Sequence, residues 1–371
     1  MYLQAKGQYS KQAHVAIPEG LYEEEFGRSG FYGPVTHLYH KNPPTGWSRI
    51  EGPLKPRAFD CQQLPMTEDT LDRVTLLYNE DVSVQIARPR QAHNWYFRNA
   101  DGDELFFIHE GKGTLETDFG PMAFEEGDYI ILPRGTTYRF KPETTQNFFV
   151  IFQAASQIQE PERGLLGQHA LYDPAVIQTP TPEPMTENRA EWEIKIKRQN
   201  QLSSVFYPFN PLDIRGWKGD LMVWKINVRD ICPVMSHRVH LPPSVHSTFV
   251  ASGFVICTFL PRPLESDPEA VRVPFYHRNI DYDEVIFYHS GNFFSRDGIR
   301  PAMVSFHPQG IHHGPHPKAV EESWKKSETS EVAVMIDTVK PLQMSPEAAV
   351  AEWQDYWKSW QDTKTENKVP S

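Results

Sequence analysis

The sequence predicts an all-β protein built from two tandem β-barrels, with an extended N-terminal arm and a C-terminal helix. Short runs rich in β-branched and aromatic residues are separated by Gly, Pro, Asn and Asp, as expected for strands and turns. The 32 prolines and 22 glycines are spread along the chain rather than clustered, which indicates many turns. One spacing of acidic and glycine residues occurs in both halves, which indicates a duplicated barrel.

Length and composition restrict the class of protein further. The 371 residues are enough for two ordinary domains, and the net charge of −11 argues against nucleic acid and anionic membranes as partners. No apolar run approaches the ~20 residues that span a bilayer, and the start, MYLQAKGQYSKQ, lacks the apolar region of a signal peptide. The 3 cysteines show no motif spacing. Reduced thiols and a cytoplasmic location are therefore expected.

The expected order of domains follows from composition and pattern. We expect an arm over residues 1–60, a first barrel over 61–160, a linker over 161–200, and a second barrel with the helix over 201–371. The arm is rich in Gly, Pro and aromatic residues and should pack on a neighbouring domain or subunit. The helix is predicted because Ser345 can cap it and Pro346 suits its first turn. Its expected buried face consists of Val350, Trp353, Trp357 and Trp360.

The second half contains the motifs that point to chemistry. Residues 276–317 hold six of the chain's fifteen histidines, and His277, Glu284 and Gly291 follow one another at intervals of seven. A second block reads A-x5-P-x-G-x2-H from Ala302 to His313. Both blocks resemble the two motifs of the cupin barrel. A lone strand histidine is more often a packing residue than a ligand, but two matching spacings in the right order predict that His277, Glu284 and His313 converge on one metal.

The ligand types indicate which metal. Two imidazoles and one carboxylate on one face of an ion form the triad of non-haem Fe(II) oxygenases, which leaves positions open for substrate and O2. Cupins that bind metal through four protein ligands usually have another histidine two positions after the first, where this chain has Asn279. Fe(II) is therefore the predicted cofactor.

The first half repeats the spacing without the ligands. Glu104 precedes Gly111 by seven, and Gly127-x5-Pro133-x-Gly135-x2-Tyr138 repeats the second block. Phe97 stands where His277 stands in the second copy, and Tyr138 where His313 stands. Because phenylalanine cannot bind a metal, the first barrel is predicted to be structural and the second to hold the only barrel site.

The chain resembles the homogentisate 1,2-dioxygenase family from about residue 30 onward. The resemblance rests on YHRN and FYHSG around the first block, on FHP-x-G-I-x-HGPHP in the second, and on FRNADGDELFFIHEGKGTLETDFG in the first barrel. It also covers YPFN at 207–210, GWKGD at 216–220 and HLPPS at 240–244. The interval from His277 to the acid is one residue longer than in the eukaryotic enzymes. The seven-residue interval to Gly291 then indicates that the acidic ligand is Glu284 rather than Asp283.

The resemblance implies oxidative ring opening of a hydroquinone that bears an acetate group, with O2, to give maleylacetoacetate. It implies that His240 is the base that takes the phenol proton and that His307 is a further histidine near the iron. It also implies a homo-oligomer, a trimer or hexamer, for which we expect residues 21–47 and the Trp353–Trp360 face to form contacts.

Substrate contacts are expected from residues near the ligands. Arg278, Asn279 and Tyr282 lie between the first two ligands and Arg296 on the following turn, where a guanidinium would pair with the substrate carboxylate. Strand alternation argues that Arg278 points away from the iron. His313 should border the substrate as well as the metal, and His316 should orient a ligand from outside the coordination sphere.

Three other functions remain open on the sequence. The same triad would serve a dioxygenase for another aromatic acid, such as gentisate or 3-hydroxyanthranilate. A Zn or Mn cupin isomerase would favour a fourth ligand, against which Asn279 counts. A storage or sensor protein with two cupin barrels would bind no iron, so an iron assay separates it from the enzymes.

Overall fold

The computed structural model describes residues 4–184, 186–293, 295–315 and 325–361, and it is all-β. Within that part of the chain the only helices are short 3₁₀ segments: Cys61–Gln63, Gly164–Leu166, Pro174–Val176, Val228–Asp230, Pro243–His246, Pro346–Val350 and Tyr356–Trp360. The strands are β1 (Tyr22–Gly27), β2 (Val35–His40), β3 (Arg57–Asp60), β4 (Val74–Tyr78), β5 (Val82–Ala87), β6 (Tyr96–Asn99), β7 (Asp103–Glu110), β8 (Gly113–Thr117), β9 (Gly120–Phe124), β10 (Asp128–Leu132), β11 (Thr137–Pro142), β12 (Phe148–Ala154), β13 (Trp192–Arg198), β14 (Gln201–Tyr207), β15 (Trp224–Asn227), β16 (Ser247–Ala251), β17 (Phe254–Phe259), β18 (Arg262–Pro263), β19 (Tyr276–Asn279), β20 (Asp283–Ser290), β21 (Met303–His307), β22 (Glu328–Thr329), β23 (Val332–Thr338) and β24 (Gln343–Met344).

The first cupin barrel consists of two sheets. One has the order β15-β10-β7-β12-β5-β4-β24 and the other β14-β13-β6-β11-β8-β9. Strand β7 reads DELFFIHE and is apolar on both faces. Phe106 and Ile108 pack inside the barrel, whereas Leu105 and Phe107 belong to a larger core shared with the second barrel. A strand covered on both faces loses the polar alternation of a surface strand.

The second cupin barrel pairs a sheet of order β16-β17-β23-β20-β21-β3 with a smaller sheet, β19-β1-β2. Successive side chains of strand β20 face two different cores, as those of β7 do. Ile286 and Tyr288 face the interior of the second barrel, and Val285 and Phe287 face the first barrel. The rings of Phe107 and Phe287 lie 6.1 Å apart between the barrels. One apolar core therefore joins both barrels.

Sheet pairing corrects the expected domain boundaries. Strands β13 and β14 extend the sheet that contains β6, and β15 pairs with β10, so the first barrel reaches Asn227 rather than ending near 160. The arm is part of the second barrel, because β1 pairs with β19 and β3 with β21. Conversely, β24 near the C-terminus pairs with β4. The pattern of 192–198 indicates a strand but carries no information about which sheet it joins.

The predicted C-terminal helix is wrong in type. Ser345 does cap the segment, since its Oγ accepts from the backbone N–H of Ala348, but only two 3₁₀ segments form. Between them the backbone pairs with β3: Asp60 N donates to Ala351 O at 2.7 Å and Trp353 N to Ala58 O at 2.8 Å. These bonds replace the helical ones, and Val350 is left 65% exposed.

Two expectations about the chain's environment can be compared with the structure. Cys61, Cys232 and Cys257 are all free, and the first and last of them are buried. Within the described residues there is no helix with the length and hydropathy needed to cross a bilayer.

Candidate metal centre

The structure brings His277, Glu284 and His313 together inside the second barrel. One potential ligand atom from each lies within 4.8 Å of the others, and all three residues are buried. His277 and His313 exchange backbone hydrogen bonds at 3.1 Å in both directions. That bridge places the two ring centroids 4.0 Å apart, with the rings nearly perpendicular. Glu284 reaches the same point from β20, in the other sheet of the barrel.

The protonation of these residues fits a divalent metal. The Nδ1 of His277 lies 3.3 Å from the carbonyl of Phe275, which leaves Nε2 as the free acceptor, and Nε2 is buried without a hydrogen-bond partner among the described residues. Burial, together with the neighbouring His313, lowers the pKa of His277 to about 3, so this imidazole is neutral. Burial alone would raise the pKa of Glu284, but His313 and His307 hold it well below its usual range. The cluster therefore offers imidazole nitrogen and ionised carboxylate, a donor set suited to Fe(II).

The adjacent acid, Asp283, faces the other way. Its carboxylate accepts from the backbone N–H groups of Gln309 at 2.7 Å and Leu342 at 2.6 Å, so it fastens two loops. The motif glycine explains the register. Gly291 has φ +93°, and a Cβ on it would meet the carbonyl oxygen of Ser330 at 2.0 Å, so the turn after β20 requires glycine. Counting back from this turn, Glu284 is the acid on the interior face.

His307 lies behind the metal ligands rather than at the cavity. Its Nδ1 is 2.7 Å from Oε1 of Glu284, and its Nε2 is 3.3 Å from the hydroxyl of Tyr356. Trp360 packs its ring 5.7 Å from that of His307. The C-terminal segment thus covers the back of the centre, which the sequence did not reveal. The predicted role of His316 falls outside the described residues.

Asp337 is a functional candidate that sequence reasoning missed. It lies opposite Glu284 in the β20–β23 ladder, and its Oδ1 is buried with no hydrogen-bond partner in the part of the chain that the structure describes. Burial, and then the charges of Glu284 and Asp283, raise its pKa well above the usual range. A neutral acid therefore stands beside an ionised one. Its position in the apolar strand sequence VAVMIDT was the available signal.

A cavity of about 750 Å³, including solvent at its mouth, opens onto His277 and Glu284. His240 lines it, and its Nδ1 lies 3.5 Å from Oε1 of Glu265. Its Nε2 is buried and finds no hydrogen-bond partner within the described ranges. Burial lowers the pKa of His240, and Glu265 offsets part of that effect. The predicted base is thus a neutral imidazole on the wall of the cavity beside the metal ligands.

The expected substrate contacts divide into two groups. Arg296 lines the cavity, donates to Gly314 O at 3.1 Å and lies 3.6 Å from Glu284. Arg262 also lines the cavity, and it was not predicted from the sequence. The side chain of Arg278 instead lies over the ring of Phe26 at 4.7 Å, outside the cavity lining, as strand alternation predicted.

Two further expected contacts can be located in part. The ring of Tyr282 lies against Gly30, with 3.6 Å between Cε1 and the position of a Cβ, and does not line the cavity. Tyr282 and Arg278 are therefore not retained as substrate contacts. Asn279 belongs to β19, but its side chain lies outside what the structure describes.

The N-terminal arm closes one side of the centre. The ring of Phe31 lies 5.5 Å from that of His277, and the hydroxyl of Tyr32 lies 2.9 Å from Oγ of Ser247. Glu24 on β1 is fully buried and contacts His312, the residue before the ligand His313. The arm therefore holds two of the three ligand positions from within the same chain.

The first barrel retains the geometry but contains a guanidinium at the corresponding position. Tyr138 donates to Glu104 at 2.7 Å and packs against Phe97 at 5.5 Å, as His313 faces Glu284 and His277. Arg73 forms a salt bridge with Glu104 and donates to the Tyr138 hydroxyl at 3.1 Å. In the first barrel an internal cation, Arg73, thus pairs with Glu104, the counterpart of the carboxylate that the second barrel offers to a metal.

The fold and the site define a protein with two cupin barrels and a two-histidine, one-carboxylate centre in the second. Two family models match the chain, homogentisate 1,2-dioxygenase N-terminal over residues 79–228 and C-terminal over residues 230–367. The chain belongs to the homogentisate 1,2-dioxygenase family. The boundary between the two matched segments lies directly after Asn227, where β15, the last strand of the first barrel, ends.

Relatives of known name agree with this assignment. A provisionally named dioxygenase of Saccharolobus solfataricus is 33% identical over 384 residues, covering 97% of this chain and 99% of its own. A homogentisate 1,2-dioxygenase of Pseudomonas savastanoi is 26% identical, covering 98% and 92%. Among solved structures, a cupin barrel protein of Leptotrichia buccalis covers 76% of this chain and 96% of its own, with TM-score 0.35 and 9% identity.

Proposed function

We propose that this protein is an Fe(II)-dependent dioxygenase that opens the ring of a dihydroxy aromatic acid, with homogentisate as substrate and maleylacetoacetate as product. The observation that carries the proposal is the convergence of His277, Glu284 and His313 beside a cavity that His277, Glu284 and His240 line. Bound Fe(II) would supply the redox chemistry that lets O2 react with the ring. Family membership supports the reaction class and the metal.

The cavity suits an anionic aromatic molecule. Arg262 and Arg296 are always charged, and both line it with side chains only 8% and 6% exposed. Phe259, Phe275 and Ile286 supply apolar walls for a ring. Each arginine donates to one backbone carbonyl, Arg296 to that of Gly314 and Arg262 to that of Leu260. Glu284, 3.6 Å from Arg296, is ionised, whereas burial raises the pKa of Glu331, which lies 3.8 Å from Arg262. Arg262 is therefore our preferred partner for the substrate carboxylate.

The chain's own residues would move the phenol proton. His240 is neutral and offers Nε2 without a competing partner, so it can accept a proton from a phenol in the cavity. Glu265, near Nδ1, would stabilise the imidazolium that results. The arm and the C-terminal segment cover the centre, which keeps bulk water from the reacting groups.

Oxygen uptake tests the proposal directly. Protein loaded anaerobically with Fe(II) should consume one O2 for each homogentisate, with formation of the ring-opened product. The panel should include gentisate and 3-hydroxyanthranilate, which represent the alternative substrates. Turnover of gentisate but not of homogentisate would show that gentisate is the substrate. If iron-loaded protein consumed no O2 with any acid of the panel, the proposed function would be overturned.

We also propose a cytoplasmic homo-oligomer, a trimer or hexamer. Within the described chain, β1 of the arm is paired with β19 and Trp360 is buried, so these parts of the expected contact surfaces are occupied by the same chain. Tyr32 and Val35 of the arm are still 62% and 45% exposed. The edge strand β14 also exposes Leu202 and Phe206, by 58% and 56%. Sedimentation of the Leu202→Lys/Phe206→Lys variant should shift an oligomer towards monomer, and an unchanged assembly would exclude β14 from the interface.

A further inference from the structure

A second cluster of metal-binding side chains lies in the arm, outside both barrel interiors. We call it the arm cluster: His14, Glu23, Glu25 and His37. Glu23 and Glu25 are two residues apart on β1 and so share one face. His37 lies opposite Glu25 in the β1–β2 ladder. His14, from the preceding loop, approaches both carboxylates, with Nδ1 2.9 Å from Glu23 and Nε2 3.0 Å from Glu25.

The arm cluster has the geometry of a coordination site. One potential ligand atom each from His14, Glu23 and His37 lies within 4.8 Å of the others, and Glu25 Oε2 is 3.4 Å from His37 Nε2. That Nε2 atom is buried, and no described residue, Glu25 included, meets it with hydrogen-bond geometry. Two carboxylates in a largely buried place also require positive charge. One divalent ion with two neutral imidazoles balances both carboxylates, as two imidazoliums would in its absence.

We propose that the arm cluster binds a second divalent metal ion through His14, Glu23 and His37. Two imidazoles and one carboxylate suit a first-row transition ion such as Zn²⁺, Fe²⁺ or Mn²⁺. Glu25, 3.0 Å from the other ring nitrogen of His14, would orient that ligand from outside the coordination sphere.

The location gives this metal a structural consequence. The ring of His14 lies 5.7 Å from His240 and 5.1 Å from Phe275, and both of these residues line the catalytic cavity. A metal that fixes His14 to β1 and β2 would therefore fix the arm against the wall that contains the base. Metal binding at the arm cluster would stabilise the fold and hold His240 in place.

Cobalt binding to a chain without its barrel site provides the test. The variant His277→Ala/His313→Ala should still bind one equivalent of Co²⁺, with visible absorption bands, and bound Co²⁺ should raise its melting temperature. Adding Glu23→Gln and His37→Ala should abolish both effects. The matched control adds His169→Ala instead, because the His169 side chain is 75% exposed. This control should still bind one equivalent of Co²⁺.

Each outcome decides the proposal. A folded His277→Ala/His313→Ala chain that binds no Co²⁺ would overturn it, as would undiminished binding after Glu23 and His37 are changed. Melting in the absence of metal shows whether each variant is folded. Since the readout is metal content and melting in a chain without the catalytic ligands, it is independent of whether the wild-type protein opens an aromatic ring.

Discussion

Nδ1 of His307 lies 2.7 Å from Oε1 of Glu284, so this imidazole donates to the carboxylate that faces the metal position. Nε2 of the same ring is then the acceptor for the Tyr356 hydroxyl at 3.3 Å. A chain of hydrogen bonds thus runs from the C-terminal segment to the ligand. We therefore propose that His307 positions Glu284 rather than touching the substrate.

Replacement of His307 should weaken metal binding. Loss of an outer partner of a ligand typically lowers affinity 10- to 100-fold, so His307→Leu should raise the dissociation constant of Fe(II) by about that factor. His307→Gln keeps an N–H donor and should lose less. Competition with a chelator measures both, in a Glu23→Gln/His37→Ala background that removes the arm cluster. Equal affinity in wild type and His307→Leu would show that the bond does not position Glu284.

Glu284 and Asp283 should have separate roles. Glu284→Ala should lose the barrel metal because one of three ligands disappears, measured as metal content in the same background. Asp283→Ala should keep the metal but lose roughly 1–3 kcal/mol of unfolding free energy, since two buried backbone N–H groups lose their acceptor. His237→Ala, at an exposed position, should change neither. The reverse pattern, with metal lost only in Asp283→Ala, would contradict the register.

The motifs could be predicted because they describe turns, and turns are local. Gly291 must be glycine for steric reasons, and the seven-residue interval back to Glu284 follows from the length of β20. Sheet partners are not local. Nothing in the sequence of β13 or β15 indicates that they join the first barrel, or that Ala351 and Trp353 bond to β3. For the same reason the arm cluster, which combines a loop and two strands, could not be predicted.

Arg73 and Glu104 should be coupled in stability. Arg73→Met leaves a buried carboxylate without its cation, which should cost roughly 3–5 kcal/mol of unfolding free energy. The double variant Arg73→Met/Glu104→Leu removes both charges and should recover most of that loss. Denaturant unfolding of the two single variants and the double variant measures the coupling. A double variant as unstable as the sum of the two singles would show that the residues act independently.

A histidine pair between the barrels should make the fold sensitive to acid. The Nδ1 atoms of His109 and His289 lie 2.8 Å apart. Burial lowers the pKa of His109 to about 3 and that of His289 to about 4. Because unfolding restores ordinary imidazole pKa values near 6.5, the unfolded chain binds more protons below that pH. The contribution of the pair to stability is thus complete above pH 6.5 and falls as the pH decreases towards 4.

Removing both titrating groups should reduce that sensitivity. His109→Gln/His289→Asn keeps hydrogen-bonding side chains without imidazoles. Between pH 7 and 5, its melting temperature should fall less than that of wild type. His169→Gln, which removes an exposed histidine, serves as the control and should follow wild type. Parallel melting curves for the double variant and wild type across this range would show that the pair does not contribute to acid sensitivity.

His240 should be required for turnover but not for the metal. It lines the cavity with a free Nε2 and does not belong to the ligand cluster. A general base of this kind contributes about 100-fold or more to the rate. His240→Ala should therefore keep iron and substrate affinity and lose kcat by at least about 100-fold. His240→Gln, which can form hydrogen bonds but cannot take the proton, should be nearly as slow.

A purely packing role for His240 makes a different prediction. Its ring lies 4.3 Å from Phe275, so truncation would also remove contacts and lower the melting temperature. Rates divided by bound iron separate the two roles, because lost stability lowers the number of folded sites but not the rate at each site. Both proteins are compared in the Glu23→Gln/His37→Ala background, so that only iron in the barrel is counted. His237→Ala, in the same loop but exposed, controls for disturbance of the loop. A wild-type rate per iron in His240→Ala would remove this residue from the mechanism. Since His307 is bonded to Glu284 and Tyr356, the proton acceptor would then have to be sought among the other groups on the cavity wall, of which His246 is a neutral imidazole.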